Sequence, residues 1–212
     1  MSIKVAIIDY DAGNIQCIYN AFNMLGAESH LTKDSSLILS CDALVLPGVG
    51  SFPHGMKNLI AYGLDKTIKD FVKTGKPVMG ICLGMQLLME SSDEFQQTQG
   101  LGLIEGRVEK LPEYPGISLP NTGWEEITKP AKDRWCNTIL DDIEEHTDVL
   151  FCHSFAAVPT NELDVLCLSR YGDKSICAAV KRENVVGFQF HPEQSGDSGL
   201  YLLRKFLGAT SV

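Results

Sequence analysis

An α/β fold built on one mostly parallel sheet is what this sequence predicts, and three observations carry the prediction. Its strand candidates are apolar throughout, amphipathic helical stretches separate them in the first half, and no linker, repeat or low-complexity tract divides the 212 residues. Strands without an exposed polar face belong in a sheet covered by helices on both sides. "IKVAII" (3–8) is the first such strand. Asn14 then opens a helix with Ile15, Ile18, Tyr19, Phe22 and Leu25 on one face, stopped by Gly26. "ALVLP" (43–47) reads as the second strand; Leu64, Ile68, Phe71 and Val72 form a helical stripe closed by Gly75, ahead of a third strand, "PVMGI" (77–81).

Beyond about residue 100 the texture changes. Shorter β-like runs are broken by Gly and Pro, which predicts antiparallel additions to the sheet. "DVLFCHSF" (148–155), "LDVLCLSRYG" (163–172), "SICAAVKR" (175–182) and "VVGFQF" (185–190) are further strands, and Leu200, Leu203, Phe206 and Leu207 mark a last helix. Residues 1–212 are expected to form one domain.

Composition narrows the function classes. With 44% hydrophobic and 21% charged residues the chain is an ordinary globular protein, and its net charge of −9 argues against nucleic acid or an anionic membrane as partner. No apolar run approaches the ~20 residues of a membrane span, and the amino terminus is too short and acidic for a signal peptide, so a cytoplasmic location is expected. The 7 cysteines are odd in number and scattered, without a CxxC pair, which suggests neither a disulfide framework nor a zinc site. Most are expected to be small buried hydrophobes.

Cys82 is the exception. In "GKPVMGICLGMQLL" (75–88) it sits where a buried strand hands over to a helix, between Gly80 and Gly84. That is the pattern of a nucleophile elbow with cysteine in the central place: the turn forces the nucleophile into a strained conformation and leaves its neighbours no room for side chains. Helix N-termini favour negative charge, and the Leu83 N–H can face a developing oxyanion. A buried cysteine between two turn glycines would read the same way locally. A nucleophile needs a base. His191 follows an apolar strand directly, Pro192 prevents that strand from continuing, and Glu193 can reach back to fix the imidazole tautomer. Gln86, one helical turn beyond Cys82, shares its face, where its amide could hold a substrate. His30, His54 and His146 have no such setting and read as surface residues.

"GICLGMQLL" with "GFQFHPE" resembles the class I glutamine amidotransferases, over nearly the whole chain. "IIDYDAGN", "LPGVGSF", "GLGLIEGRV", "TGW" and "HPEQSG" narrow the resemblance to the glutaminase subunits of imidazole glycerol phosphate synthases. The resemblance implies a flavodoxin-like sheet and a Cys82–His191–Glu193 triad, hydrolysing L-glutamine without metal or cofactor. It implies an oxyanion strand at Gly48, Val49 and Gly50, whose Val49–Gly50 peptide can turn its N–H toward the thioester oxyanion. It also implies contacts to the glutamine backbone groups from Gly48, Glu94, His153, Ser154 and Phe155. The implied partner is a (β/α)₈-barrel cyclase subunit, forming a heterodimer that uses the ammonia in histidine biosynthesis. The docking face would lie at the active-site edge, with Asp11, Asn14, Trp124 and Gln194; Trp124 as plain core is the bland alternative.

The chain departs from the family pattern where relatives commonly have Pro-His-x-Gly-Trp-Asn and His-Pro-Glu-Lys. It has Asn121 for the histidine, Glu125 for the asparagine and Gln194 for the lysine. These departures leave the triad intact and bear on partner identity. A paralogous subunit feeding a cyclase-like enzyme of surface-polysaccharide sugar amidation is the second reading. A non-catalytic glutamine sensor and a cysteine-peptidase-like hydrolase are weaker, the first because a sensor has no need of all three triad residues.

Overall fold

The computed structural model describes residues 2–13 and 15–211. Its elements run β1 (Lys4–Ile8), α1 (Gln16–Met24), β2 (Glu28–Thr32), α2 (Ser35–Ser40), β3 (Ala43–Leu46), α3 (Phe52–Ala61), α4 (Leu64–Lys73), β4 (Val78–Ile81) and α5 (Leu83–Leu87). The second half adds β5 (Met89–Ser92), β6 (Thr98–Gln99), β7 (Ile104–Lys110), β8 (Asn121–Thr128), β9 (Thr147–His153), β10 (Phe155–Pro159), β11 (Val165–Tyr171), β12 (Lys174–Arg182), β13 (Val185–Phe188) and α6 (Gly196–Gly208).

A nine-stranded sheet in the order β2-β1-β3-β4-β13-β12-β11-β8-β9 forms the body. Its β2-β1-β3-β4-β13 half is parallel, and every later pairing is antiparallel, as the change of texture near residue 100 predicts. Burial explains the apolar strands. Val5, Ile7, Val45 and Met79 face a core that holds Phe22 of α1 and Phe206 of α6, whereas Ala6, Ile8, Leu44 and Val78 face Leu59, Ile68 and Phe71 of α3 and α4. Successive side chains of one strand thus reach two different helical layers. Phe22 and Phe206 meet edge to face at 6.1 Å, and truncating either to alanine should cost about 3–5 kcal/mol.

Four features differ from the sequence reading. First, β2, with the sequence ESHLT, is a half-exposed edge strand with no apolar run to announce it, so ALVLP supplies the third strand in chain order. Second, the run 148–155 breaks at Ser154 into β9 of the large sheet and β10 of a separate four-stranded sheet ordered β10-β7-β5-β6. Third, β13 ends at Phe188, leaving Gln189 and Phe190 beyond it. Fourth, cysteine burial is mixed: Cys41, Cys82, Cys167 and Cys177 are buried, but Cys136 and Cys152 are exposed. The expected helix start at Asn14 lies outside the described residues; α1 itself begins at Gln16. No helix among the described residues is long and apolar enough to cross a membrane.

Candidate active site

Strand β4 delivers Cys82 to the carboxyl edge of the parallel half, and the adjacent parallel strand β13 delivers His191 to the same edge. Cys82 adopts φ 53°, ψ −111°, a left-handed region that a side chain enters only under constraint. Its N–H donates to the Phe188 carbonyl at 2.7 Å, and its own carbonyl accepts from Gln86 N–H at 3.2 Å, so sheet and helix both hold the turn. The flanking glycines are sterically required. A Cβ on Gly84 would lie 1.8 Å from the Leu46 carbonyl oxygen, and one on Gly80 would lie 2.8 Å from the Gly84 backbone.

His191 is fixed from behind. Its N–H donates to the Leu150 carbonyl of β9 at 2.9 Å, and its carbonyl accepts from Ser195 Oγ at 2.7 Å. The ring Nδ1 pairs with Glu193 Oε1 at 2.9 Å, both side chains being almost wholly buried. With Nδ1 engaged, Nε2 is left for the hydrogen bond to the Cys82 sulfur. Burial opposes charge on this imidazole, but the hydrogen bonds and charges of Cys82 and Glu193 outweigh it and raise the pKa to about 10. The second Glu193 oxygen, Oε2, is buried without a hydrogen-bond partner among the described residues, and Gln194 Nε2 adds a 3.3 Å bond to Oε1.

A cavity of about 250 Å³ opens in front of the sulfur. Cys82, Leu83, Gln86, Val49, Gly50, Glu94, His153, Ser154, Phe155 and His191 all border it, so the structure gathers nearly every residue singled out for nucleophile, base, oxyanion and substrate contacts. Gly48 is buried just behind, where a Cβ would lie 2.1 Å from the Tyr10 hydroxyl; that hydroxyl donates to the Pro47 carbonyl at 2.6 Å. One of the two expected oxyanion donors, the Leu83 N–H, is occupied. Leu83 N–H donates to the Gly48 carbonyl at 3.3 Å and Val49 N–H to the Ala12 carbonyl at 3.1 Å. Glu94 accepts from the Phe52 N–H at 2.7 Å; burial raises its pKa, against that hydrogen bond. Burial likewise lowers the pKa of His153 to about 4, only partly offset by its bond to the Phe155 carbonyl.

Two further groups at the cavity, Pro120 and Cys152, were not marked by sequence: an exposed cysteine on an alternating strand and a loop proline carry no local signal. Asn121, marked only as a departure, pairs with His153 across β8 and β9, its Nδ2 lying 3.3 Å from His153 Nε2. The expected docking residues are less tightly grouped. Asp11, with φ 59°, is bound by the Tyr62 hydroxyl and follows β1; exposed Gln194 follows β13, so both lie at the catalytic edge. Asn14 is outside the described residues. Trp124 is 54% exposed, which removes the core alternative, but it borders a separate cleft of about 610 Å³ with Glu125, Glu126 and Arg170.

Residues 6–209 match the family model for glutamine amidotransferase class-I, and the chain belongs to that family. Within it, the chain is 42% identical over 210 residues to "Imidazole glycerol phosphate synthase subunit HisH 1" of Legionella pneumophila (strain Lens), covering 96% of this chain and 98% of that protein. It is 41% identical over 206 residues to "Imidazole glycerol phosphate synthase subunit HisH" of Listeria monocytogenes serotype 4a (strain HCC23), covering 97% and 96%. A chain of the PurLQS structure from Thermotoga maritima shares the fold, with a TM-score of 0.72 at 20% identity over 98% of this chain and 99% of that one.

Proposed function

We propose that the chain is the glutaminase subunit of an imidazole glycerol phosphate synthase, hydrolysing L-glutamine and passing ammonia to a (β/α)₈-barrel cyclase partner in histidine biosynthesis. The carrying observation is the left-handed Cys82 beside an imidazole that Glu193 braces at 2.9 Å. The near full-length likeness to the HisH subunits supports the pathway.

The chemistry is acyl transfer. Cys82 sulfur, as thiolate, attacks the carboxamide carbon of glutamine and pushes the C=O electrons onto oxygen. The tetrahedral oxyanion collapses as His191 gives its proton to the leaving nitrogen, releasing ammonia and a glutamyl thioester. Water, deprotonated by His191, attacks the thioester, and glutamate leaves as the sulfur recovers its electron pair. Glu193 keeps the imidazole oriented and stabilises its charged form. Gln86 spends its N–H groups on protein acceptors, which leaves Oε1 as the end available to the substrate's ammonium group.

The occupied Leu83 donor explains how a partner could switch the enzyme. While Leu83 N–H is spent on the Gly48 carbonyl, an oxyanion would go unserved. Turning the Gly48–Val49–Gly50 strand would free Leu83 N–H and bring the Val49–Gly50 peptide N–H to the same point. Gly50, at φ 109° with open space around its Cβ position, gives that strand its freedom. Docking of the partner at the Asp11 and Gln194 edge would bias the turn and seal ammonia from water.

The test reconstitutes the chain with a histidine-pathway cyclase. Glutamate release should be slow for the chain alone and rise strongly with the liganded partner. Cys82→Ser should abolish glutamine-dependent product while ammonium still supports the cyclase. Glutamate release by Cys82→Ser would overturn the nucleophile, and no coupling to the cyclase would turn the reading toward the sugar-amidating paralogues.

A further inference from the structure

Gln189 is a primary amide, 0% exposed, between Phe188 and Phe190. Burying an amide in such surroundings is unfavourable unless its ends are hydrogen-bonded, and the bonds it makes form a chain with one direction. The Phe155 carbonyl accepts from His153 Nδ1 at 2.8 Å and from Gln86 Nε2 at 2.8 Å. A carbonyl only accepts, so the nitrogen end of Gln86 must face it. The second N–H of Gln86 reaches Gln189 Oε1 at 3.0 Å. That commits the oxygen of Gln189 and leaves its nitrogen aimed at Cys82 Sγ, 3.8 Å away. On its other side the sulfur meets the Cys152 carbonyl at 3.8 Å, an acceptor that favours S–H.

We infer that Gln189 is a positioning residue for the nucleophile: its amide N–H, oriented by Gln86 and the Phe155 carbonyl, donates to the Cys82 sulfur, favours its anionic form and fixes its rotamer toward the cavity. The use of that sulfur on glutamine rests on the function proposed above; the hydrogen bond itself does not. The other titratable groups facing the sulfur are His191, backed by Glu193, and Tyr10, which burial keeps neutral. Gln189 does not border the catalytic cavity, so it should act on the sulfur and not on substrate binding.

Gln189→Met keeps length and removes the donor. The rate of Cys82 alkylation by iodoacetamide, followed by peptide mass spectrometry across pH on the full chain, should fall about tenfold on the acid limb of its pH profile. In the reconstituted enzyme kcat should fall with KM for glutamine little changed. Gln86→Met, which removes the orienting donor, should shift the alkylation profile in the same direction by less, and it decides the matter if Gln189→Met does not fold. An unshifted profile in a folded variant overturns the inference. A shifted profile in a chain that releases no glutamate overturns the proposed function and leaves this inference standing.

Discussion

Gly84→Ala probes the elbow most directly, because the added atom meets the backbone of Leu46 and Pro47. Its Cβ would sit 1.8 Å from the Leu46 oxygen and 2.7 Å from the Leu46 carbonyl carbon. Real Cβ contacts almost never fall below 3.0 Å, so α5 and the end of β3 must separate by about 1.2 Å. No flexible side chain can yield instead. Overpacking of this kind costs about 1–3 kcal/mol, and at this chain length each kcal/mol lowers Tm by about 2–4 °C. The expected loss is therefore about 2–12 °C. The functional loss should be larger in proportion, since α5 carries Leu83 and follows Cys82, while β3 leads into Gly48, Val49 and Gly50. An error near 1 Å between nucleophile and oxyanion donors costs on the order of 100-fold in rate. Thermal melting and partner-stimulated glutamate release measure the two effects. Gly208→Ala, at the end of α6 with nothing within 4 Å of its Cβ, serves as the control and should be neutral or stabilising by up to about 1 kcal/mol. A Gly84→Ala chain with wild-type Tm and rate would refute the elbow argument.

Three other outcomes are expected. NMR titration of His191 should find it protonated through neutral pH, with a pKa raised from 6.5 to about 10; its stabilising contribution is full below about 6.5 and lost as pH rises through about 10, and Cys82→Ala should lower this pKa. His153, held down to about 4, has the opposite sign: stability should fall as pH drops from about 6.5 toward 4, because the unfolded chain takes up the proton first, and His153→Gln should flatten that slope. Trp124→Ala should leave the isolated chain folded with a small change in Tm yet weaken partner affinity by about 30-fold or more, as removal of an interface hot spot does; a large Tm loss with unchanged affinity would remove Trp124 from the interface.

How much of this was legible beforehand depended on whether a residue's reason lies in its neighbours along the chain. The fold class was legible because β1, β3 and β4 are buried on both faces and so must be apolar throughout. The elbow was legible because the crowding around Cys82 is local: Gly80 and Gly84 each lie two residues from Cys82, within the turn that needs them. His191 and Glu193 were legible for the same reason, a base and its brace separated by one proline. The edge strand β2 was not, since ESHLT is half in water and carries no apolar signature. Nor was the break at Ser154, where two sheets with different neighbours share one apolar run. The tertiary structure alone decided that Gln86 and Gln189, far apart in sequence, lie within one buried hydrogen-bonded chain ending on the nucleophile. It also decided that Leu83 N–H is spent on Gly48 and that Trp124 stands in the open. Sequence carries the constraints that a short stretch imposes on itself; which distant donor meets which acceptor, and which side chain is left to solvent, is fixed only when the layers pack.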